Sequence, residues 1–325
     1  MDVAEVAEGV RATVGALAHP GGATCRCPAG ESVLVGRGEA YVLRHGDTVA
    51  KAHAADTGER ELALRVRVAA DPALRGTLLA PLEDTPRAAA GRHVTLWPFG
   101  APVDPDAPER APWEAAGRLL ALLHRVDTAR LPGPPPPMRG PAKAARAVAL
   151  LRAAGPREAS ADVLAAWEAL PPWARGEAPA PRRALCHGDL HLGQLVRHPA
   201  PEGPWRLIDV DDLGLGEPAW DLARPAAWYG CGLLGPAEWD RFLRAYRAAG
   251  GPAVPADGDP WPHLDVPARA LAVQTAARAL TKAHEAGRPL DEAERAVAEA
   301  CGRMASAAVA APGDPYSGPR HSAAT

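Results

Sequence analysis

Apolar and polar positions change rhythm near residue 98. Before it, apolar residues come in short alternating runs; after it, they recur mainly at helical spacing. Residues 3–17 predict a short amphipathic helix that ends at Pro20-Gly21-Gly22. Residues 32–35, 40–44 and 48–52 read as three strands. Gly36-Arg37-Gly38 and His45-Gly46-Asp47 separate them with turn chemistry, which predicts a small antiparallel meander. Residues 58–70 predict a helix stopped by Asp71-Pro72, and residues 77–80 and 93–97 predict two more strands.

Pro98-Phe99-Gly100-Ala101-Pro102 interrupts the pattern and reads as a joint. Residues 113–126 then carry Ala116, Leu119, Leu120 and Leu123 on one helical face. Residues 142–151, 161–170, 238–249, 266–284 and 291–304 also predict helices, and Pro134 to Pro137 form a stiff link. The expectation is an α+β chain: a small β-rich N-lobe over 1–98, a larger mainly helical C-lobe over 99–310, and a flexible tail over 311–325. No internal repeat interrupts this reading.

A chain of 325 residues is long enough for two such lobes. A formal net charge of -3 offers nothing to nucleic acid or to an anionic membrane. No apolar stretch approaches the roughly 20 residues of a spanning helix, and Met1-Asp2-Val3-Ala4-Glu5 opens without a signal-peptide pattern. The five cysteines are scattered, with Cys25 and Cys27 too close for an ordinary disulfide and lacking a second pair for zinc. That usage predicts a reducing, cytoplasmic setting.

The chemistry lies between residues 185 and 223. His187-Gly188-Asp189 offers a carboxylate, and Gln194 offers a carboxamide five residues on. Leu207-Ile208-Asp209-Val210-Asp211-Asp212 offers a second carboxylate at the end of an apolar strand, and Trp220-Asp221-Leu222-Ala223 follows. Phosphoryl transfer needs an acidic group to orient a hydroxyl and oxygen ligands to hold magnesium on the phosphates. Taken singly, His-Gly-Asp is also a turn and Asp209 also a strand-end cap; the pair favours the chemical reading.

These segments resemble the aminoglycoside phosphotransferase and choline kinase-like family, a branch of the two-lobed protein-kinase-like fold. The resemblance implies Asp189 as catalytic base and Asp209 with Gln194 as magnesium ligands. Gln194 stands where most of that family has asparagine, and the sequence is similar to a maltokinase-like subset in this respect. Asp221 is read as structural, accepting hydrogen bonds from the catalytic-loop backbone, with a helix N-cap as the alternative. Asp211 and Asp212 are read as supplements to the metal site or contacts for a cationic acceptor, with at least one of them a solvated loop charge as the alternative.

On the nucleotide side, the resemblance implies that Lys51, one of three lysines in an arginine-rich chain, contacts phosphates. Glu61, with Glu59 as rival, is expected to hold it. Gly36 and Gly38 form either a loop over the phosphates or an ordinary hairpin turn. Residues 93–97 with Phe99 resemble the strand and hinge that offers backbone hydrogen bonds to adenine, which brings in Trp97 and Phe99. His124 reads as structural. Trp228, Tyr229, Trp239 and Trp261 are either core or a face for a sugar or a cation.

The expected function is transfer of the γ-phosphate of ATP or GTP, with Mg2+, to a small-molecule hydroxyl acceptor: an aminoglycoside, amino-sugar or sugar. The expected assembly is a monomer or homodimer without nucleic acid or membrane partners. Resistance, biosynthesis and salvage all fit that chemistry. The rival reading is a pseudokinase or nucleotide-binding scaffold.

Overall fold

The computed structural model describes residues 3–18, 30–37, 40–155 and 159–310. The N-terminal region is a small sheet with a helix against it. Helix α1 spans Val3–Ala18, followed by strands β1 (Glu31–Arg37), β2 (Ala40–His45) and β3 (Thr48–Ala52). Helix α2 spans Glu59–Ala70, and β4 (Arg87–Ala89) and β5 (Arg92–Pro98) complete a five-stranded antiparallel sheet ordered β1-β2-β3-β5-β4. Leu43, Ala50, Ala52, Val94 and Leu96 face α1, which contributes Val10 and Val14 to the same core. Side chains alternate across a strand, so burying Ala50 and Ala52 sends Lys51 to the opposite face.

A two-residue strand β6 (Ala101–Pro102) leads to α3 (Trp113–His124), α4 (Gly140–Ala153) and α5 (Ser160–Glu168). Four short strands follow: β7 (Ala184–Cys186), β8 (Leu195–Arg197), β9 (Trp205–Leu207) and β10 (Gly214–Gly216). With β6 they form two small sheets, β10-β7 and β6-β8-β9. Helices α6 (Ala219–Gly230), α7 (Pro236–Ala248), α8 (Trp261–Glu285) and α9 (Glu292–Ala310) complete the helical C-terminal region. The fold class is therefore the expected α+β, with a small sheet first and helices after it. Among the described residues, no helix is long and apolar enough to cross a membrane.

Helices α3 and α7 meet closely because Gly117 has no side chain. A Cβ there would sit 2.3 Å from the Phe242 carbonyl oxygen. Trp113 meets Phe242 edge to face at 6.2 Å, and Trp239 and Trp261 stack on each other at 6.3 Å, so these aromatics serve packing.

Two compact units emerge. The first comprises Met1–Gly140, Ala180–Pro225 and Gly235–Leu264; the second comprises Pro141–Pro179, Ala226–Leu234 and Asp265–Thr325. The first holds all the strands among the described residues, and the second holds the contact between α5 and α9.

Two expectations shift. Residues 77–80 do not join the N-terminal sheet; they bridge to β9, with Leu207 N donating to Thr77 O and Leu79 N to Leu207 O, both at 2.9 Å. The sheet position is taken instead by β4, whose three residues, Arg87-Ala88-Ala89, are too few to give a strand signal. Helix α6 also arises within the motif segment, where Pro225 inside the helix conceals it from pattern reading.

Candidate active site

Strand β7 is wholly buried and ends at Cys186, which places His187-Gly188-Asp189 at its exit. Gly188 has φ +88, and a Cβ there would lie 2.5 Å from the Asp212 carbonyl oxygen, so only glycine suits this turn. The Asp221 carboxylate accepts from His187 N at 2.6 Å and from Gly188 N at 2.7 Å. His124 Nε2 lies 2.9 Å from Asp221 Oδ2, and His124 Nδ1 lies 2.8 Å from the Tyr246 hydroxyl, which accepts from Ala253 N at 2.9 Å. Giving each donor its own acceptor assigns the proton of His124 to Nε2. Asp221 thus anchors the turn below Asp189, and His124 anchors Asp221.

A short 3-10 turn, Leu192–Gln194, leads into β8, and β8 pairs antiparallel with β9 in the register Leu195 to Leu207. That register brings the residue before β8 beside the residue after β9: Ile208 N donates to Gln194 O at 3.0 Å. Gln194 and Asp209 are therefore neighbours through strand pairing. His187 Nε2 donates to Ile208 O at 2.7 Å and ties the turn to the same strand end. Asp209 has φ +65, a conformation aspartate tolerates better than most residues. Its Oδ1 accepts from Asp211 N at 3.3 Å.

Lys51 Nζ reaches this corner, at 2.7 Å from Asp209 Oδ1 and 2.9 Å from Asp211 Oδ2. Burial alone would depress the Lys51 ammonium, but the two carboxylates more than offset it and raise its pKa above the ordinary value. Burial likewise opposes ionisation of Asp211, and Lys51 with His53 reverses this, holding Asp211 well below the usual carboxylate range.

His191 is pushed below its ordinary pKa, chiefly by burial and then by Arg224, so its ring is neutral near pH 7. Its Nδ1 accepts from Gly193 N at 3.1 Å, which leaves the proton on Nε2, 3.1 Å from the Gln194 side-chain amide. We assign the amide oxygen to face that N–H; its second lone pair remains for another partner.

A family model, the phosphotransferase enzyme family, matches residues 31–261. The chain belongs to this family. Among solved structures it is similar to an aminoglycoside phosphotransferase from Streptomyces rimosus: 21% identity, TM-score 0.57, covering 84% of this chain and 99% of that one. A choline/ethanolamine kinase family protein from Mesorhizobium loti is similar at 19% identity and TM-score 0.54, covering 93% of this chain and 95% of that one. At these identities the likeness establishes the protein-kinase-like fold of such enzymes. An N-acetylmuramate/N-acetylglucosamine kinase of Caulobacter vibrioides is 37% identical over 109 residues, 28% of this chain. The match spans only 30% of that relative's length.

Within this family member, one expected contact falls elsewhere. Glu61 does not hold Lys51. It is 59% exposed and pairs one turn along α2 with Arg65 at 3.2 Å, while Lys51 is taken by Asp209 and Asp211. The Phe99 N–H donates to Asp47 O at 2.7 Å, and its carbonyl, which keeps a second lone pair, lies 3.0 Å from His198 Nδ1. Trp97 is buried, and its indole N–H donates to Thr95 Oγ1 at 2.9 Å. Gly36 lies within β1 opposite Tyr41, one residue before its end, and Gly38 lies outside the described residues.

Residues that sequence reasoning missed lie around the same corner. Arg224, on α6, pairs with Asp189 and donates to Leu190 O at 3.0 Å. The fourth position of Asp221-Leu222-Ala223-Arg224 was visible, but nothing in the spacing aims it at Asp189. His53 is fully buried, with Nε2 at 2.8 Å from Thr95 Oγ1 and Nδ1 at 3.0 Å from Asp211 Oδ1. Neither Asp211 nor the buried Asp212 is a solvated loop charge.

Proposed function

We propose that this phosphotransferase moves the γ-phosphate of ATP or GTP to a hydroxyl of a small molecule, with an amino-sugar the favoured acceptor and aminoglycosides and sugars next. The observation that carries this reading is the meeting of Lys51 with Asp209, 158 residues apart in the chain, at 2.7 Å. The turn bearing Asp189 is tied to the same strand end through His187. A solved relative that is 13% identical at TM-score 0.50, the spectinomycin phosphotransferase, holds ADP and spectinomycin. The relative from Caulobacter, a kinase of N-acetylated amino-sugars, supports the acceptor class.

In this reading Asp189 accepts the proton of the acceptor hydroxyl and aims its oxygen at the γ-phosphorus. The new P–O bond forms in line as the bond to the nucleoside diphosphate breaks, with no covalent enzyme intermediate. Arg224 fixes the direction of the Asp189 carboxylate. Lys51 meets the phosphates as a compact cation. The oxygen donors Asp209 and Gln194 suit a hard cation, and each keeps a lone pair for one. Magnesium bound there would neutralise charge on the phosphates.

The test is magnesium-dependent nucleotide turnover across amino-sugars, sugars, aminoglycosides and amino-alcohols, with Asp189→Ala as control. The expected outcome is transfer to one acceptor class, abolished in Asp189→Ala while nucleotide binding survives. Equal loss of binding and turnover would remove Asp189 from the role of base. Binding without turnover on any acceptor would favour the scaffold reading.

A further inference from the structure

A lysine on a central strand needs a fixed anion to keep it extended toward phosphates, because four rotatable bonds otherwise let it wander. Here the helix that follows the lysine strand supplies none. The first-turn carboxylates of α2 are Glu59 and Glu61; Glu59 is exposed, and Glu61 turns to Arg65. Arg65 connects α2 to the site by another route, donating to Leu213 O at 2.9 Å and to Pro137 O at 3.4 Å. The helix thus grips the backbone beyond Asp212 and leaves the lysine alone.

Asp211 sits at the centre of a buried chain instead. Trp97 Nε1 donates to Thr95 Oγ1, and Thr95 lies opposite Lys51 in the β3–β5 register. Because that indole can only donate, the arrangement that gives each donor its own acceptor has the Thr95 hydroxyl donating to His53 Nε2 at 2.8 Å. The proton of His53 then sits on Nδ1, 3.0 Å from Asp211 Oδ1, at ion-pair distance though off the line of a hydrogen bond. The other oxygen of Asp211 faces Lys51 Nζ at 2.9 Å. Lys51, His53 and Thr95 all come from β3, the residue after it, and β5, so Asp211 is locked to the sheet that carries the lysine.

We propose that Asp211, held by His53, is the positioning residue for Lys51, and that it replaces the helix carboxylate in that task. The inference deepens the phosphotransferase reading and rests on it. Asp209 is thereby free to leave Lys51 for a cation, while Asp211 keeps the ammonium aimed.

The sign of one measurement separates this role from others. Removing a negative charge beside a triphosphate should tighten binding of metal-free ATP, if charge alone matters. Removing the anchor of Lys51 should weaken it. Calorimetric titration of the full chain with ATP in EDTA is therefore expected to show about tenfold weaker binding for Asp211→Asn, with the KM for ATP rising more than kcat falls. In the Lys51→Ala background the same change should add no loss, because the two act as one unit. His53→Phe should shift affinity in the same direction by less, and Glu61→Gln, on an exposed and correctly folded surface, should match the wild type. Unchanged or tighter metal-free ATP binding in Asp211→Asn, or a loss in Glu61→Gln equal to that of Lys51→Ala, would overturn the proposal. No loss in Lys51→Ala itself would instead overturn the assignment of this corner to nucleotide phosphates.

Discussion

Asp221 shows how one buried side chain sets the geometry of a turn it does not belong to. Its two oxygens serve two backbone N–H groups and an imidazole, all out of solvent. Asp221→Asn keeps the shape but turns an NH2 toward a backbone N–H. The expected cost is about 2–4 kcal/mol, the sum of a lost charge-assisted bond and an unpaired buried donor. Denaturant titration would measure it, and phosphoryl transfer should fall with it; wild-type values for both would contradict the anchoring role. Gly188→Ala should be comparably damaging, because a Cβ would meet the Asp212 carbonyl oxygen at φ +88. At this scale Asp189, Gln194 and Asp209 were legible because they lie within one short segment, although Asp189 meets Arg224 and Asp209 meets Lys51 from elsewhere in the chain. Arg224 and His53 were not: an arginine on a helix and a histidine after a strand carry no local mark of what they will face. Glu61 misled for the same reason, since its spacing from Lys51 is right but Arg65 lies closer along its own helix.

Helix ends and strand alternation are the parts of the elements that local chemistry writes. The start of α9 is a capping box: Glu294 N donates to Asp291 Oδ1 at 2.8 Å, and Asp291 N donates to Glu294 Oε2 at 2.9 Å. Arg288 first, and the Asp291 N–H second, draw the Glu294 carboxyl down to about 2. A depressed folded pKa contributes stability above the unfolded value, about 4.3, and loses it as pH falls toward the folded one. The first turn of α9 should therefore fray between about pH 4.5 and pH 2, visible as falling amide protection near Glu294. Glu294→Gln should remove that dependence. The strand over 48–52 was equally legible, while its core side, Ala50 and Ala52, was decided by packing against α1. Residues 77–80 and α6 were not. Apolar content marked the former as a strand without saying which ladder it joins, and Pro225 masked the latter.

For the whole molecule, ligand linkage gives the broadest check. The residues assigned to nucleotide and magnesium all belong to the first compact unit. Saturating ATP with magnesium at about a hundred times its Kd should add about 2.7 kcal/mol to stability. Chelating the metal should remove most of that gain, and Asp209→Asn should abolish the difference between the two conditions. Hydrogen exchange should slow around residues 48–53, 187–194 and 208–212. A thermal shift indifferent to magnesium would argue against Asp209 as a ligand.

Periodicity and motif order, both local properties, were enough to establish that a small antiparallel sheet precedes helices and that Asp189, Gln194 and Asp209 lie on loops beside short strands. What only the folded chain decided is which charges meet: Lys51 with Asp209 and Asp211, Asp189 with Arg224, Glu61 with Arg65. Those pairings depend on strand register and on which side chain arrives first at a shared corner. Such competition is settled by distance in space, which a linear pattern does not encode.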